Sequence, residues 1–254
     1  MTKSLRNSST IRVLRILEEI AKSEEGIGVT ELANQLELNK STVYRFLATL
    51  EEEAYLEQQD STKKYQSGIK LFELASRIVN QVDWTKDIRP FLIDLKDRVN
   101  ETVHLGIIDN KEVVYIDKVE GERSIRMYSQ VGKRAPVYCT GVGKAILAFL
   151  PEEKRMYIMR NIKYTNYTES TITDDNSLNK EMRIIRAQGF SLDREEHETG
   201  VNCAAAPIFN HSDQVIGGIS IAGPSSRINE DILFDLAAEI KETAHLISRR
   251  LGNF

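Results

Sequence analysis

With 254 residues, 41% of them hydrophobic and 28% charged, the chain has the composition of a soluble globular protein long enough for two domains. It contains no run of 18 apolar residues, so no membrane span is expected. Its formal net charge of −4 means that any anionic partner has to be argued from local faces. The first residues, MTKSLRNSSTIRVL, lack the apolar core of a signal peptide. Two cysteines, Cys139 and Cys203, are too few for a disulfide framework. A reducing cytoplasm is the expected compartment.

Residues 9–67 are locally patterned. Val13, Leu14, Leu17, Ile20 and Ala21 mark a first helix, which Gly26 and Gly28 interrupt. Thr30 to Leu36 reads as a short second helix with Leu32, Ala33 and Leu36 apolar. A third helix follows in NKSTVYRFLATLEEEAYL, with Asn39 as its N-cap and Val43, Phe46, Leu47 and Leu50 as one apolar stripe. AYLEQQDSTKKYQSG then reads as two short strands around an Asp-Ser-Thr-Lys-Lys turn. Helix, helix, turn, helix, hairpin is the order of a winged helix-turn-helix.

The third helix keeps carboxylates out of its first three turns and places Glu51, Glu52 and Glu53 at its end. A helix in a DNA major groove sets its N-terminal half against base edges and phosphates, where acids would be repelled. The candidate DNA-facing residues are Thr30, Lys40, Ser41, Thr42, Tyr44 and Arg45, with Lys63 and Lys64 on the wing. Residues 1–22 hold five cations (Lys3, Arg6, Arg12, Arg15, Lys22) against Glu18 and Glu19. Residues 1–83, however, hold 11 Lys and Arg against 13 Asp and Glu, a net of −2. The module is no polycation and would need a specific docking face in two copies. A protein-docking winged helix is the rival reading.

In IKLFELASRIVNQVDW a wide helical stripe runs through Leu71, Leu74, Ala75, Ile78, Val79 and Val82. Such a stripe on a connector packs on its own domain or pairs with a second subunit. The second part, residues 85–254, reads as a helix from Asp87 to Asn100, then strands at 102–108, 112–119 and 123–131. Helices are expected at 141–150, 152–160 and 177–188, strands at 200–209 and 214–222, and a long closing helix with Leu233, Leu236, Ile240, Ala244, Ile247 and Leu251 on one face. Grouped strands and grouped helices indicate an α+β domain, an antiparallel sheet covered by helices.

Two stretches of this part could carry chemistry. In VYCTGVGKAIL a strand-like run ends at Cys139-Thr140-Gly141-Val142-Gly143, where a helix starts. Free N–H groups there suit an anion, and Gly141 and Gly143 permit close approach; a plain tight turn is the other reading. In SLDREEHETGVNCAAAPIF, Asp193 could accept from a ligand hydroxyl, while Glu195 and Glu196 read as a solvated turn and Cys203 as a small core residue. The four histidines, His104, His197, His211 and His245, show no metal-ligand spacing, and no metal or cofactor is expected. Cys139 at a helix start would have a lowered pKa, which leaves a cysteine-dependent hydrolase as a rival class, although no histidine is placed to serve as its base.

The whole chain resembles the IclR family of bacterial transcriptional regulators. GVTELANQLELNKSTVYRFLATLEEEAYL carries the likeness in the first part; VYCTGVGKAIL, DREEHETGVNCAAAPIF and GGISIAGPSSRI carry it in the second, in the family's order. ETVHLGIID, VVYIDKVE, IRMYSQVGKRAPVY and KLFELASRIVNQVD resemble its KdgR subgroup, repressors of pectin and hexuronate breakdown. The resemblance implies a winged helix-turn-helix at 1–68, a linker and dimerisation helix at 69–84, and a GAF-like effector-binding domain at 85–254. It also implies a homodimer or dimer of dimers on a pseudo-palindromic double-stranded DNA operator, controlled by a small carboxylate effector. Gly141 and Val142 stand where backbone N–H groups hold the effector carboxylate, and Asp193 where an acid meets its polar end. Cys203 and Ser220 stand at pocket-lining strand positions, Val201 and Met127 at apolar wall positions. Ala222 stands where some relatives carry serine, so one hydroxyl contact is expected to be missing. The subgroup suggests 2-keto-3-deoxygluconate as effector.

Overall fold

The computed structural model describes residues 8–74, 83–123 and 129–253. The chain forms two compact units, Met1–Asp83 and Trp84–Phe254.

In the first unit, α1 (Ser8–Lys22), α2 (Val29–Gln35) and α3 (Lys40–Glu52) precede the hairpin of β1 (Leu56–Gln58) and β2 (Tyr65–Ser67). This is the expected winged helix-turn-helix order. Its core gathers Ile16, Ile20, Leu32, Val43, Leu47, Leu50 and Tyr65. The buried stripe of α1 is Ile16 and Ile20, flanked by Val13 and Leu17, whereas Leu14 is 53% exposed and Ala21 is also exposed. At 3.6 residues per turn, Leu14 and Ala21 lie roughly 100° round from that stripe, so both leave the core. Asn39 does occupy the N-cap of α3, and its carbonyl accepts from the Thr42 and Val43 amides at 2.9 and 3.1 Å. Its side chain makes no capping bond, so only the backbone half of the expected cap is present. Residues 69–74 are helical (α4), with Ile69 and Phe72 strongly exposed. Of the stripe expected on the connector, Leu71 and Leu74 are half-buried, and Ala75, Ile78, Val79 and Val82 lie outside the described residues.

The second unit opens with α5 (Asp83–Val99), which starts four residues before the expected boundary and carries Pro90 inside. Ile88, Leu92 and Leu95 are its buried face. Strands β3 (Thr102–Asp109), β4 (Glu112–Val119), β5 (Arg134–Pro136), β6 (Ser191–Arg194), β7 (Val201–Phe209) and β8 (Val215–Pro224) form one antiparallel sheet in the order β5-β4-β3-β8-β7-β6. Helices α6 (Gly141–Phe149), α7 (Glu152–Met159) and α8 (Asp175–Gln188) lie between β5 and β6 in sequence, and α9 (Glu230–Arg250) closes the unit. Two cores result. One joins α5 and α9 to the sheet through Ala204, Ala206 and Ile208 of β7; the other joins α6, α7 and α8 to the opposite face, where Ala205 points. The two-residue alternation along β7 therefore separates the two layers.

The strand expected at 123–131 lies mostly outside the described residues: 124–128 are not among them, while Arg123 bends, Ser129 and Gln130 are irregular and Val131 is in a turn. The sheet also contains the three-residue β5, which ends at Pro136 on the sheet edge, where the lost donor is tolerated. Residues 191–194, where no strand was expected, are the other edge strand, β6. Ser191 pairs with Ala205 and Asp193 with Cys203.

Candidate functional site

On the first unit the candidate DNA-facing residues spread round more than half of α3. Lys40, Ser41, Tyr44 and Arg45 are exposed, Tyr44 to 59%, and Thr42 is half-buried. Thr42 and Arg45 line a groove against α1 together with Arg12, which the motif reading left out of the site. Thr30 is exposed at the start of α2. On the wing, Lys63 is exposed with a left-handed backbone (φ 57°), and its ammonium lies 3.8 Å from the fully exposed Asp60. Lys64 is half-buried. Of the cations in residues 1–22, Lys22 is paired with Glu19 at 2.7 Å, and Lys3 and Arg6 lie outside the described residues.

On the second unit, Gly141, Val142, Asp193, Val201, Cys203 and Ser220 all line one cavity of about 60 Å³. That is several times the space a single water needs. Met127 lies outside the described residues. The cavity is built where the α6 start meets the sheet. Thr140 is the extended N-cap residue, and its hydroxyl turns away to donate to the Pro136 carbonyl at 2.6 Å. The amides of Gly141, Val142 and Gly143 belong to the first turn, so none has an acceptor within the helix. Two close approaches hold this turn down. A Cβ on Gly141 would lie 2.8 Å from Cys203 Sγ, and one on Gly143 would lie 2.6 Å from the Val137 carbonyl. The glycine at 141 thus serves contact with β7, a reason that adds to ligand access.

The sheet supplies the floor. His104 on β3 stands opposite Ser220 on β8. Its Nε2 lies 2.7 Å from Ser129 Oγ and its Nδ1 3.4 Å from Ser220 Oγ. Burial, with Lys118 nearby, drives the His104 pKa down to about 3, so the imidazole is neutral. Tyr115 packs on it with ring centroids 5.1 Å apart. His104, Tyr115 and Ser129 line the cavity and were missed, because they fall in stretches whose patterns signal only strands or turns; Thr140 and His197, in the two stretches already singled out, line it as well. Ala222 also lies on the lining and presents a methyl group there.

Asp193 is 6% exposed, and its Oδ1 accepts from the Glu196 amide at 2.8 Å. Burial and then the Glu196 charge raise its pKa to about 7. It therefore shares its proton near neutrality rather than standing fully ionised. Glu195 keeps part of its expected turn character, with φ 56° and a bond from the Gly200 amide to its carboxylate at 2.8 Å. Glu196 is no solvated turn residue. It is buried and pairs with the Lys144 ammonium, which also donates to the Leu192 carbonyl at 2.7 Å and lies 3.5 Å from Glu181. Burial opposes the Lys144 charge, but Glu196, Glu181 and Asp193 outweigh it and hold the ammonium charged. A fully buried lysine has no signature in a sequence pattern that reads GKAIL as an ordinary helix start.

Cys139 is fully buried, and burial, followed by the Asp193 and Glu196 charges, pushes its thiol far up. The expectation of a thiol activated by the helix start is overturned: desolvation exceeds the helix-end effect. Among the described residues no His, Cys, Asp or Glu cluster is arranged to hold a metal ion, and no helix is long and apolar enough to cross a membrane. The cavity thus brings the first turn of α6, a buried acid and several small polar groups onto one lining.

Residues 9–60 match the IclR helix-turn-helix domain, and residues 76–249 match the bacterial transcriptional regulator IclR C-terminal family. The chain is 37% identical over 245 residues to the HTH-type transcriptional regulator KdgR of Escherichia coli (strain K12), covering 96% of this chain and 93% of that one. It is 35% identical to KdgR of Dickeya chrysanthemi, covering 96% and 80%. The crystal structure of the Thermotoga maritima IclR superposes with a TM-score of 0.82 at 35% identity, covering 96% of this chain and 98% of that one. These relatives are regulators of transcription rather than enzymes. The chain, with its winged helix-turn-helix and its helix-covered antiparallel sheet, belongs to the IclR family of transcriptional regulators and is similar to KdgR throughout its length.

Proposed function

We propose that this regulator is a cytoplasmic repressor whose operator binding is controlled by a small 2-oxo sugar acid, 2-keto-3-deoxygluconate. The observation that carries the reading is the convergence of the α6 first-turn amides and the buried Asp193 on one cavity. The amides of Gly141 and Val142 carry unmet donors and the positive end of the helix, which suit the effector carboxylate. Asp193 meets the hydroxyl-bearing end; Cys203, Ser220 and Val201 line the walls, and Met127 is assigned with them by resemblance alone. The likeness to KdgR supports a sugar acid over an aromatic one.

Thr30, Lys40, Ser41, Thr42, Tyr44 and Arg45 are assigned to the operator, with Lys63 and Lys64 on its backbone. We divide the chain into a DNA-binding domain (1–68), a linker helix that pairs two subunits (69–84) and an effector domain (85–254). A homodimer or dimer of dimers would match a pseudo-palindromic site. The effector moves the balance between DNA-competent and DNA-incompetent arrangements only by its difference in affinity for the two.

Selection of bound duplexes from a random pool, with and without a panel of sugar acids, tests this reading. The expected result is enrichment of an inverted repeat, lost on adding 2-keto-3-deoxygluconate. Release by an aromatic acid but by no sugar acid would retain the pocket and overturn the effector.

A further inference from the structure

The cavity that presents the α6 amides also contains a carboxyl group almost cut off from water. Asp193 lines it at 6% exposure, with one oxygen held by the Glu196 amide. The buried cation behind it, Lys144, is engaged by Glu196, Glu181 and the Leu192 carbonyl. The other ionisable groups facing the space are His104 from β3, Tyr115 from β4, Lys133, His197 and Glu198 from loops, and Cys203 from β7. His104 and His197 are both held toward their neutral forms, foremost by burial, and burial raises Tyr115 and Cys203 so that they too stay neutral.

We infer that the pocket takes its carboxylate ligand together with one proton on Asp193, so that effector affinity falls as pH rises. This rests on the reading of the cavity as a carboxylate site. Two ionised carboxylates in a cavity of about 60 Å³ would repel each other in poorly hydrated surroundings. Protonating Asp193 removes one charge and turns one acceptor into an O–H donor for a keto or hydroxyl oxygen. The proton comes from solvent, the ligand stays ionised, and no covalent bond changes. The empty site is already close to the protonated form near neutrality, since burial and Glu196 set Asp193 at about 7. The direction follows. Below that value the binding form is fully populated and affinity is level. Above it, each further pH unit costs about tenfold in affinity.

Calorimetry of the full chain tests this with 2-keto-3-deoxygluconate and pyruvate, from about pH 6 to about pH 9, in buffers of different ionisation heat. The expected result is a plateau at the acid end, then a fall of about tenfold per unit, with uptake approaching one proton per ligand on the alkaline side. Asp193→Asn, which cannot ionise, should bind with a level pH profile. Because the proton count is read on the wild-type chain, it stands even if that variant folds poorly. Binding of either acid with no proton uptake and a level wild-type profile would overturn the inference and leave the carboxylate site intact. A slope retained by Asp193→Asn would overturn it too, placing the proton elsewhere. Failure of both acids to bind at every pH would remove the carboxylate site itself, and the inference with it.

Discussion

The Lys144 ammonium, wholly buried on α6, closes on the Glu196 carboxylate from the loop after β6. It thereby ties the helix start that lines the cavity to the strand that carries Asp193. Its second bond, to the Leu192 carbonyl, fixes β6 one residue before Asp193.

Removing one partner of such a pair leaves the other charge buried and uncompensated. Lys144→Met should therefore lower the unfolding free energy by roughly 3–5 kcal/mol, read by urea denaturation. One oxygen of Glu196 already lacks a hydrogen-bond partner, so its position depends on the lysine. Lys144→Met combined with Glu196→Gln should cost clearly less than the two single changes added together, because it removes both charges. Additive losses would mean that the two side chains are not coupled.

On the DNA-binding unit, Arg45 and Tyr44 project from the outer face of α3 while Val43, Leu47 and Leu50 hold its inner face in the core. Arg45→Ala and Tyr44→Ala should leave thermal unfolding unchanged and weaken operator binding by about 1–3 kcal/mol each, with relaxed preference at one base position. Unchanged binding by both variants would take this helix out of the groove.

The wing lysines should behave differently. Lys63 and Lys64 lie in the loop that joins the two strands of the hairpin and are proposed to meet phosphates, which carry no sequence information. Lys63→Ala and Lys64→Ala should weaken binding to all duplexes alike, and each should flatten the plot of log affinity against log salt by about one unit. An unchanged slope with altered base preference would assign them to base reading.

The outline of the fold was legible because the relevant signals are local. The stripe Val43, Leu47, Leu50 reports the period that burial imposes on a helix, and β7 is an apolar run buried along almost its whole length. The α1 stripe was misread because Leu14 and Ala21 are apolar without being core, and periodicity alone does not say which of two overlapping stripes is buried. Strand β6 was hidden because Ser191, Asp193 and Arg194 are polar; it is a strand through its pairing with β7, a long-range fact. The cavity residues on the Gly-Val-Gly turn were accessible from spacing and from family likeness. His104, Lys144 and the burial of Glu196 were not, because each depends on which elements meet in space.

Gly141 separates close packing from ligand access. A methyl group there points at Cys203 Sγ, 2.8 Å away, and at the Ala205 methyl, 3.3 Å away. Gly141→Ala should thus destabilise the effector unit itself, by about 1–3 kcal/mol, before any effect on ligand binding is considered. Adding Cys203→Ala should restore part of that loss by removing the sulfur. A Gly141→Ala chain that unfolds like the wild type, yet binds no acid, would show that the side chain obstructs only the ligand.

Two buried groups of the cavity should leave opposite marks on stability against pH. His104 has its pKa lowered from 6.5 to about 3, so between those values the unfolded chain holds a proton that the folded chain does not. Its contribution is present above 6.5 and is lost as pH falls. Asp193 has its pKa raised from 3.8 to about 7, so the folded chain holds the extra proton. Its contribution is present below 3.8 and is lost as pH rises through about 7. In the window where both act, roughly pH 4 to 6.5, the two slopes oppose each other. Urea titrations across that window, plotted as variant minus wild type, isolate each one. His104→Gln should leave a difference that becomes less favourable as pH rises, and Asp193→Asn one that becomes more favourable. Each slope should approach 1.4 kcal/mol per pH unit at most, the value for one proton. A flat difference curve for either variant would mean that its group is hydrated in solution and titrates normally.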